Sequence, residues 1–334
     1  MNSKHAKSPC CGASIRRFGQ RRRQCTACQR TWTIRPRKRG RPGRRLDLTL
    51  LRRVFVEGFT LCQLAGRHGR GEAPAYRKRF RHALQRFVRL PAPQVIPAGP
   101  LVLLIDGVWF QFGGRPWVLY LMALKACRDR HAVFLDPLLL PGTEHVSHWA
   151  RALAALPPAA LSRIHALVAD NLPGLRPLAA THGWTLQLCH FHLLLKLEAV
   201  RRGRRARTLR GGSVREELIQ LVRDVLDLPP GPRWHRTVAA LQHRARGDCG
   251  TQRIQMMVRE CLRNLACYRA YRDYPTLALP RTTNSVEAMG CLLRDLFRRT
   301  RAGSTPRSVL LWATAFIRLH PTITCNSYPI NRIW

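Results

Sequence analysis

The rhythm of apolar and polar positions divides the chain into three stretches. Between 101 and 188, short apolar runs alternate with amphipathic segments. Residues 101–106 and 164–169 are branched, nearly continuous runs of the kind that forms buried strands, the first ending in an acid and the second followed directly by one. The runs 118–126 and 131–140 predict a central hairpin, 144–156 an amphipathic helix, 171–182 a helix begun by Pro173, and 184–188 a last strand. Before this block, 46–89 changes to helical spacing. Leu48, Leu51, Val54 and Phe55 share one face, Thr60 caps a second helix over Leu61, Leu64 and Ala65, and 75–87 forms a basic third helix with Phe80, Leu84 and Phe87 inward. After it, 197–280 reads as helical and arginine-rich. A helix over 284–300 turns Val286, Met289, Leu293, Leu296 and Phe297 inward and leaves Arg294, Arg298 and Arg299 outward, available to a partner; 305–319 closes the pattern. The Pro-rich 91–100 marks the clearest boundary.

Three strands, helix, strand, helix, strand is the order of an α/β, ribonuclease-H-like fold. In that arrangement the first and fourth strands are neighbours, so their carboxyl ends bring Asp106 and Asp170 together. Glu287 falls in the first turn of the 284–300 helix. Each acid also has an ordinary reading: Asp106-Gly107 as a two-residue hairpin turn, Asp170 as a cap of the following helix, and Asn284 with Glu287 as a capping box. Taken together they read as the hard oxygen ligands that Mg²⁺ requires. Three such acids on a basic chain predict a site of two Mg²⁺ ions, with Asp106, Asp170 and Glu287 as ligands, that cuts and joins nucleic-acid backbone.

Charge sharpens this expectation. The net charge is +40, and residues 1–95 carry 25 lysines and arginines against three acids. Such a field attracts a polyanion and releases it with salt. With 46% hydrophobic residues the chain is nevertheless globular. No apolar run approaches the roughly 18 residues of a membrane span. Met1-Asn-Ser-Lys-His5 lacks the apolar core of a secretory signal, so a cytoplasmic, nucleoid-associated protein is expected. Four of the twelve cysteines, Cys10, Cys11, Cys25 and Cys28, cluster near the start. Cys25-x-x-Cys28 is a knuckle that places two thiolates on one Zn²⁺, and Cys11-Gly12 is half of another. Ser8 stands where a complete ribbon has its first cysteine, which leaves Cys10 or His5 as the fourth ligand. Arg39-Gly40-Arg41-Pro42 has the form of an AT-hook core, a plain basic linker being the alternative. The three helices of 46–90 fit a helix-turn-helix with Arg77, Lys78, Arg79 and Arg81 facing outward, or an ordinary packing unit.

The motifs Ile-Asp106-Gly, Glu144 with Trp149, Ala-Asp170-Asn, Cys189-x-x-His192 and Thr-Asn284-x-x-Glu287 resemble the Mutator-like bacterial insertion-sequence transposases with an N-terminal zinc ribbon. The resemblance implies a DDE active site of Asp106, Asp170 and Glu287 and an all-helical insertion before the catalytic Glu. Two departures stand out: Asp170-Asn where the family has Asp-Gly, and the missing first ribbon cysteine. For Cys189 and His192 a structural or DNA-contacting role is expected over a metal site. The domains expected are a zinc ribbon at 1–34, a basic AT-hook-like linker at 35–45, a helix-turn-helix domain at 46–90 and a linker at 91–100. A catalytic domain at 101–196 and 281–320, the helical insertion at 197–280 and a tail at 321–334 follow. The resemblance implies a transposase acting on double-stranded DNA at terminal inverted repeats, by phosphodiester hydrolysis and 3′-hydroxyl strand transfer, as a homodimer or higher oligomer. A structure-selective nuclease and a DNA-binding regulator descended from a transposase are the alternatives.

Overall fold

The structure is a computed structural model. It describes residues 7–19, 22–33, 46–66, 73–91, 95–202, 212–246, 252–300 and 302–325. His5 and the basic segment with Arg39 and Arg41 lie outside the described residues. The chain divides into two units, Met1–Asp47 and Leu48–Trp334.

In the first unit, β1 (Ile15–Arg17), β2 (Arg22–Cys25) and β3 (Thr31–Thr33) form an antiparallel sheet in the order β1-β2-β3. Strands this short bury little apolar surface. Cys25, fully buried, is the one hydrophobic core residue described there, so a sheet of this size relies on a further staple.

The second unit is mixed α/β. It opens with α1 (Leu48–Phe55), α2 (Leu61–Gly66) and α3 (Ala73–Arg89). Thr60 and Gln63 cap α2 reciprocally: the Thr60 amide donates to Gln63 Oε1 at 2.8 Å, and the Gln63 amide donates to Thr60 Oγ1 at 3.2 Å. The sheet follows: β4 (Leu101–Phe112), β5 (Arg115–Ala126), β6 (His131–Phe134), β7 (Leu138–Pro141), then α4 (Val146–Ala154), α5 (Pro158–Leu161), β8 (Ile164–Ala169), α6 (Leu175–Thr181) and β9 (Thr185–Leu188). Helices α7 (His190–Arg202), α8 (Gly212–Asp227), α9 (Pro232–Arg246), α10 (Gln252–Arg263) and α11 (Leu265–Asp273) come next. Then come α12 (Asn284–Thr300), α13 (Pro306–Leu319) and β10 (Thr322–Thr324). Strand order is β10-β6-β5-β4-β8-β9, with β7 also on β5. β4 runs antiparallel to β5 and parallel to β8, which runs parallel to β9.

Both faces of this sheet are covered, which is why β4 reads as a continuous apolar run. Leu101, Leu103 and Ile105 face a core shared with Trp149 of α4, Leu175 of α6 and Val225 of α8. Val102, Leu104 and Val108 face the core built by α12 and α13, which also takes in α1 and α3. The three N-terminal helices are fastened to α13 through aromatic rings. Trp312 lies 5.2 Å from Phe55 and 5.1 Å from Phe80, centroid to centroid.

Three elements differ from expectation. β4 does not end at Asp106 but runs on to Phe112, because β5 pairs with it throughout and the turn falls at Gly113-Gly114, both at positive φ. The expected run 131–140 is two strands, broken at Asp136-Pro137, where proline cannot donate to the ladder. α6 begins at Leu175 rather than 171. Gly174, at φ 89°, is its N-cap, so Asp170 is not.

Candidate functional site

In the first unit Cys10, Cys11, Cys25 and Cys28 offer four sulfurs that all lie within 4.8 Å of one another. Cys10 Sγ is 3.2 Å from Cys28 Sγ, and Cys11 Sγ is 3.2 Å from Cys25 Sγ. These gaps are too long for disulfides and close to the roughly 3.8 Å edge of a tetrahedron with metal–sulfur bonds of about 2.3 Å. Ser8 Oγ stands 3.6 Å from Cys11 Sγ, beside the cluster. Hydrogen bonds from Ser8 and from the Cys28 amide hold the Cys25 thiol down to about 5. The Arg30 amide lowers Cys28, but the facing sulfurs, Cys10 first, and burial outweigh it and carry that thiol to about 12. Four soft donors at this spacing suit a metal such as zinc. Among the described residues they are the one group of three or more candidate ligand atoms gathered so tightly.

The second unit gathers acids. In the parallel pairing of β4 with β8, Leu104 stands beside Val168. Two residues further along both strands come Asp106 and Asp170, at the level where the pairing stops. Asp106 is a ladder residue opposite Leu121, and Gly107 stands opposite Tyr120, so the pair is not a hairpin turn. Asp170 Oδ1 accepts from the Asn171 amide at 2.6 Å, and its two oxygens take Lys196 Nζ at 3.1 and 3.2 Å. Glu287, in the first turn of α12, is brought to β4 by a close approach of helix and strand. A Cβ on Gly290 would come within 2.9 Å of Val108 Cγ2.

A fourth carboxylate, Glu144, joins them from the loop before α4. A Cβ on Gly107 would lie 3.0 Å from its Cδ and its Oε2. Trp149 Nε1, one turn into α4, donates to Glu144 Oε1 at 2.9 Å and fixes it. Sequence reasoning gave Glu144 no role beyond its place in a motif. Its five-residue spacing to Trp149 was the available signal.

These acids feel one another. Burial first, then the charges of Glu144 and Asp170, raise Asp106 to about 7 against the pull of the Gly107 amide and Arg294. Burial, then Asp106 and Asp170, raise Glu287 to about 8, again opposed by Arg294. Glu144 is raised by burial and by Asp170, although its bond from Trp149 and the charge of Lys196 work against this.

Cys189 and His192 connect the sheet to the helix that carries Glu287. Cys189 Sγ accepts from Thr283 N and from Thr283 Oγ1, both at 3.3 Å, just ahead of α12. The His190 amide donates to Arg281 O at 2.9 Å. His192 Nε2 then reaches Glu287 Oε1 at 3.0 Å. Burial pushes the His192 ring below its usual pKa, while burial, then the charges of Asp106 and Asp170, raise the carboxyl beside it. Glu287 therefore serves His192 and not a capping box. Asn284 Oδ1 is buried with no hydrogen-bond partner among the described residues.

Of the cations expected to meet DNA, Arg77, Lys78, Arg79 and Arg81 are exposed on α3. Asp136 lies on the far side of β5 from β4 and is bound by Arg318, at 2.9 and 2.5 Å. No helix among the described residues is long and apolar enough to cross a membrane. No family model matches the chain, and no curated protein matches it.

Proposed function

We propose that the chain is a DNA transposase of the Mutator-like insertion-sequence kind, with a ribonuclease-H-like catalytic domain and an N-terminal zinc ribbon. The observation that carries this reading is that Asp106 and Asp170, past the end of one parallel strand pairing, and Glu287 at the start of a helix lie near enough for the charges of Asp106 and Asp170 to raise Glu287, inside a chain of net charge +40. An antiparallel β4–β5–β6 set, extended by β8 and β9 parallel to β4, supports the fold assignment.

The donor set suits Mg²⁺. It consists of hard carboxylate oxygens whose ionised forms oppose one another, an opposition that a divalent cation relieves. Asp106, Asp170 and Glu287 would hold two ions, and Glu144 stands by as a further oxygen donor. Bound there, Mg²⁺ supplies charge stabilisation at a reacting phosphodiester and a more acidic attacking water. The protein's own groups do the positioning. Lys196 neutralises part of the Asp170 charge, His192 fixes the rotamer of Glu287, and Arg294 places a cation beside the acids where a phosphate would lie. The reaction proposed is hydrolysis of a phosphodiester at each terminal inverted repeat, followed by attack of the freed 3′-hydroxyl on target DNA. Joining two ends requires at least two subunits.

The test incubates the protein with labelled DNA from the ends of its own element, in Mg²⁺ or EDTA, alongside Glu287→Gln. Metal-dependent nicks with 3′-hydroxyl ends, and joined products, both lost in the variant, are expected. Tight binding with no cleavage would overturn the reading in favour of a DNA-binding regulator. Nicking without joining would overturn it in favour of a nuclease.

A further inference from the structure

Away from the acids, the second unit holds a cavity of about 810 Å³ between the three N-terminal helices and the α12–α13 corner. Its lining includes Arg77 and Arg81 from α3, Arg299 from the last turn of α12 and Arg307 from the first turn of α13, and among the described residues contains no carboxylate. Arg77 and Arg81 are four residues apart and project from one face of their helix. Arg299 reaches across to the α1–α2 turn, where a Cβ on Gly58 would meet its Nη1 at 3.1 Å.

Several acids of this unit are paired with other arginines. Arg298, beside Arg299, is paired with Asp295, while Arg244 takes Glu217, Arg281 takes Asp227 and Arg318 takes Asp136. Among the described residues the four cavity arginines have no such partner. Four guanidinium groups around one hollow repel one another unless an anion joins them. Planar forks of this kind bind phosphate oxygens in pairs. Beneath them the floor is apolar and rigid, with Phe80 and Trp312 buried and in ring contact. A single phosphate ion would fill a small part of such a volume, whereas a run of backbone phosphates spans it.

We infer that this cleft holds the sugar–phosphate backbone of duplex DNA, clamped between the N-terminal helices and the α12–α13 corner. The inference rests on the DNA reading above and extends it to residues outside the acid site. α12 carries Glu287 at its start and Arg299 twelve residues later, about 18 Å along the axis at 1.5 Å per residue. At 3.4 Å per base pair that is about five base pairs. The clamped phosphates are thus held at a fixed distance from the acid site. Docking of the three helices on Trp312 then becomes functional, because it fixes the spacing between where DNA is gripped and where it reacts.

The test measures binding of the full-length protein to a fluorescent 30-base-pair duplex in EDTA, from about 0.05 to 0.3 M salt. Arg299→Gln/Arg307→Gln and Arg77→Gln/Arg81→Gln are each expected to make the slope of log affinity against log salt shallower by about two and to weaken binding at least tenfold at 0.1 M. A control pair, Arg151→Gln/Arg176→Gln on α4 and α6, removes the same charge from other helices and is expected to change neither. An equal loss in the control would overturn the clamp, since the effect would then be one of overall charge. Unchanged slopes in both cleft pairs would overturn it as well. So would displacement of DNA by inorganic phosphate at matched ionic strength, which would mark a single-anion site. Because no metal is present, the outcome is independent of cleavage. A protein that nicks DNA while its cleft variants bind normally leaves the transposase reading intact, and one that never nicks but loses affinity in those variants leaves the clamp intact.

Discussion

His192 Nε2 lies 3.0 Å from Glu287 Oε1, and one turn earlier the Cys189 thiol holds Thr283 at the mouth of the same helix. Two residues from one short segment thus set the position of α12 and the direction of its acid. If Glu287 is a metal ligand, His192 orients it without touching the reaction, as partners of metal ligands generally do. His192→Ala should raise the Mg²⁺ concentration for half-maximal DNA nicking by roughly tenfold to a hundredfold. His192→Gln, which keeps a donor within reach, should recover much of the loss. Melting temperatures of both variants should stay close to the parent. An unchanged Mg²⁺ requirement in His192→Ala would mean that the contact only packs.

The raised acids carry a stability consequence with a definite sign. Glu287 is shifted from 4.5 to about 8. Between those values the folded protein keeps a proton that the unfolded chain has lost, so stability declines as pH rises through the folded value. Glu287→Gln removes that decline. In EDTA at pH 8 the variant should be more stable than the parent by about 2 kcal/mol, after discounting for the solvent that reaches the side chain. That corresponds to a melting temperature higher by about 5 °C, with the gap closing near pH 5. Mg²⁺ should stabilise the parent and not the variant. A variant that melts lower at pH 8 would show that the carboxylate is favourably paired in the fold.

Gly290 sets how closely α12 approaches β4. Alanine there gains about 1 kcal/mol of helix propensity, but its methyl would lie 2.9 Å from Val108 Cγ2 in a core with no slack, and overpacking costs about 1–3 kcal/mol. Gly290→Ala should be destabilised by about 1 kcal/mol and lose far more nicking activity than stability, because the displaced helix carries Glu287. Val108→Ala in the same chain should restore activity, and the double-mutant cycle should give a coupling of at least about 1 kcal/mol. Additive effects in that cycle would separate the two residues.

How far the sequence was legible follows from the range of the contacts. Asp106 and Asp170 were readable because each stands at or just past the end of a buried apolar run, a local signal. Glu287 was readable from the start of an amphipathic helix. Glu144 was not, because its approach to Gly107 depends on the loop before α4 folding back over β4. The full length of β4 was hidden as well. Apolar composition marks only 101–106, and the ladder with β5 decides the rest. The docking of the N-terminal helices was out of reach, since Phe55 and Phe80 meet Trp312 across more than 200 residues. Nothing in the spacing of 46–89 distinguishes a tethered helix-turn-helix from helices sharing a core with α13. In the cysteine cluster, spacing left Cys10 and His5 open; the structure places Cys10 with the other three sulfurs, while His5 lies outside the described residues.

Cys10 is the fourth sulfur of that cluster, and this has a stoichiometric test. The purified protein should carry one zinc per chain by elemental analysis, and Cys10→Ser should lose it, as should Cys25→Ser. Ser8 Oγ stands 3.6 Å from Cys11 Sγ, so Ser8→Cys in the Cys10→Ser background should recover the metal. Zinc binding to such small sites is worth on the order of 10 kcal/mol and is inseparable from their folding. Removing it with a chelator should therefore unfold the three-stranded unit, followed through Trp32 fluorescence, while the melting of the Leu48–Trp334 unit stays unchanged. Full zinc occupancy in Cys10→Ser, at parental affinity, would show that another ligand completes the site and that the close approach of Cys10 to Cys28 has no part in holding the ion.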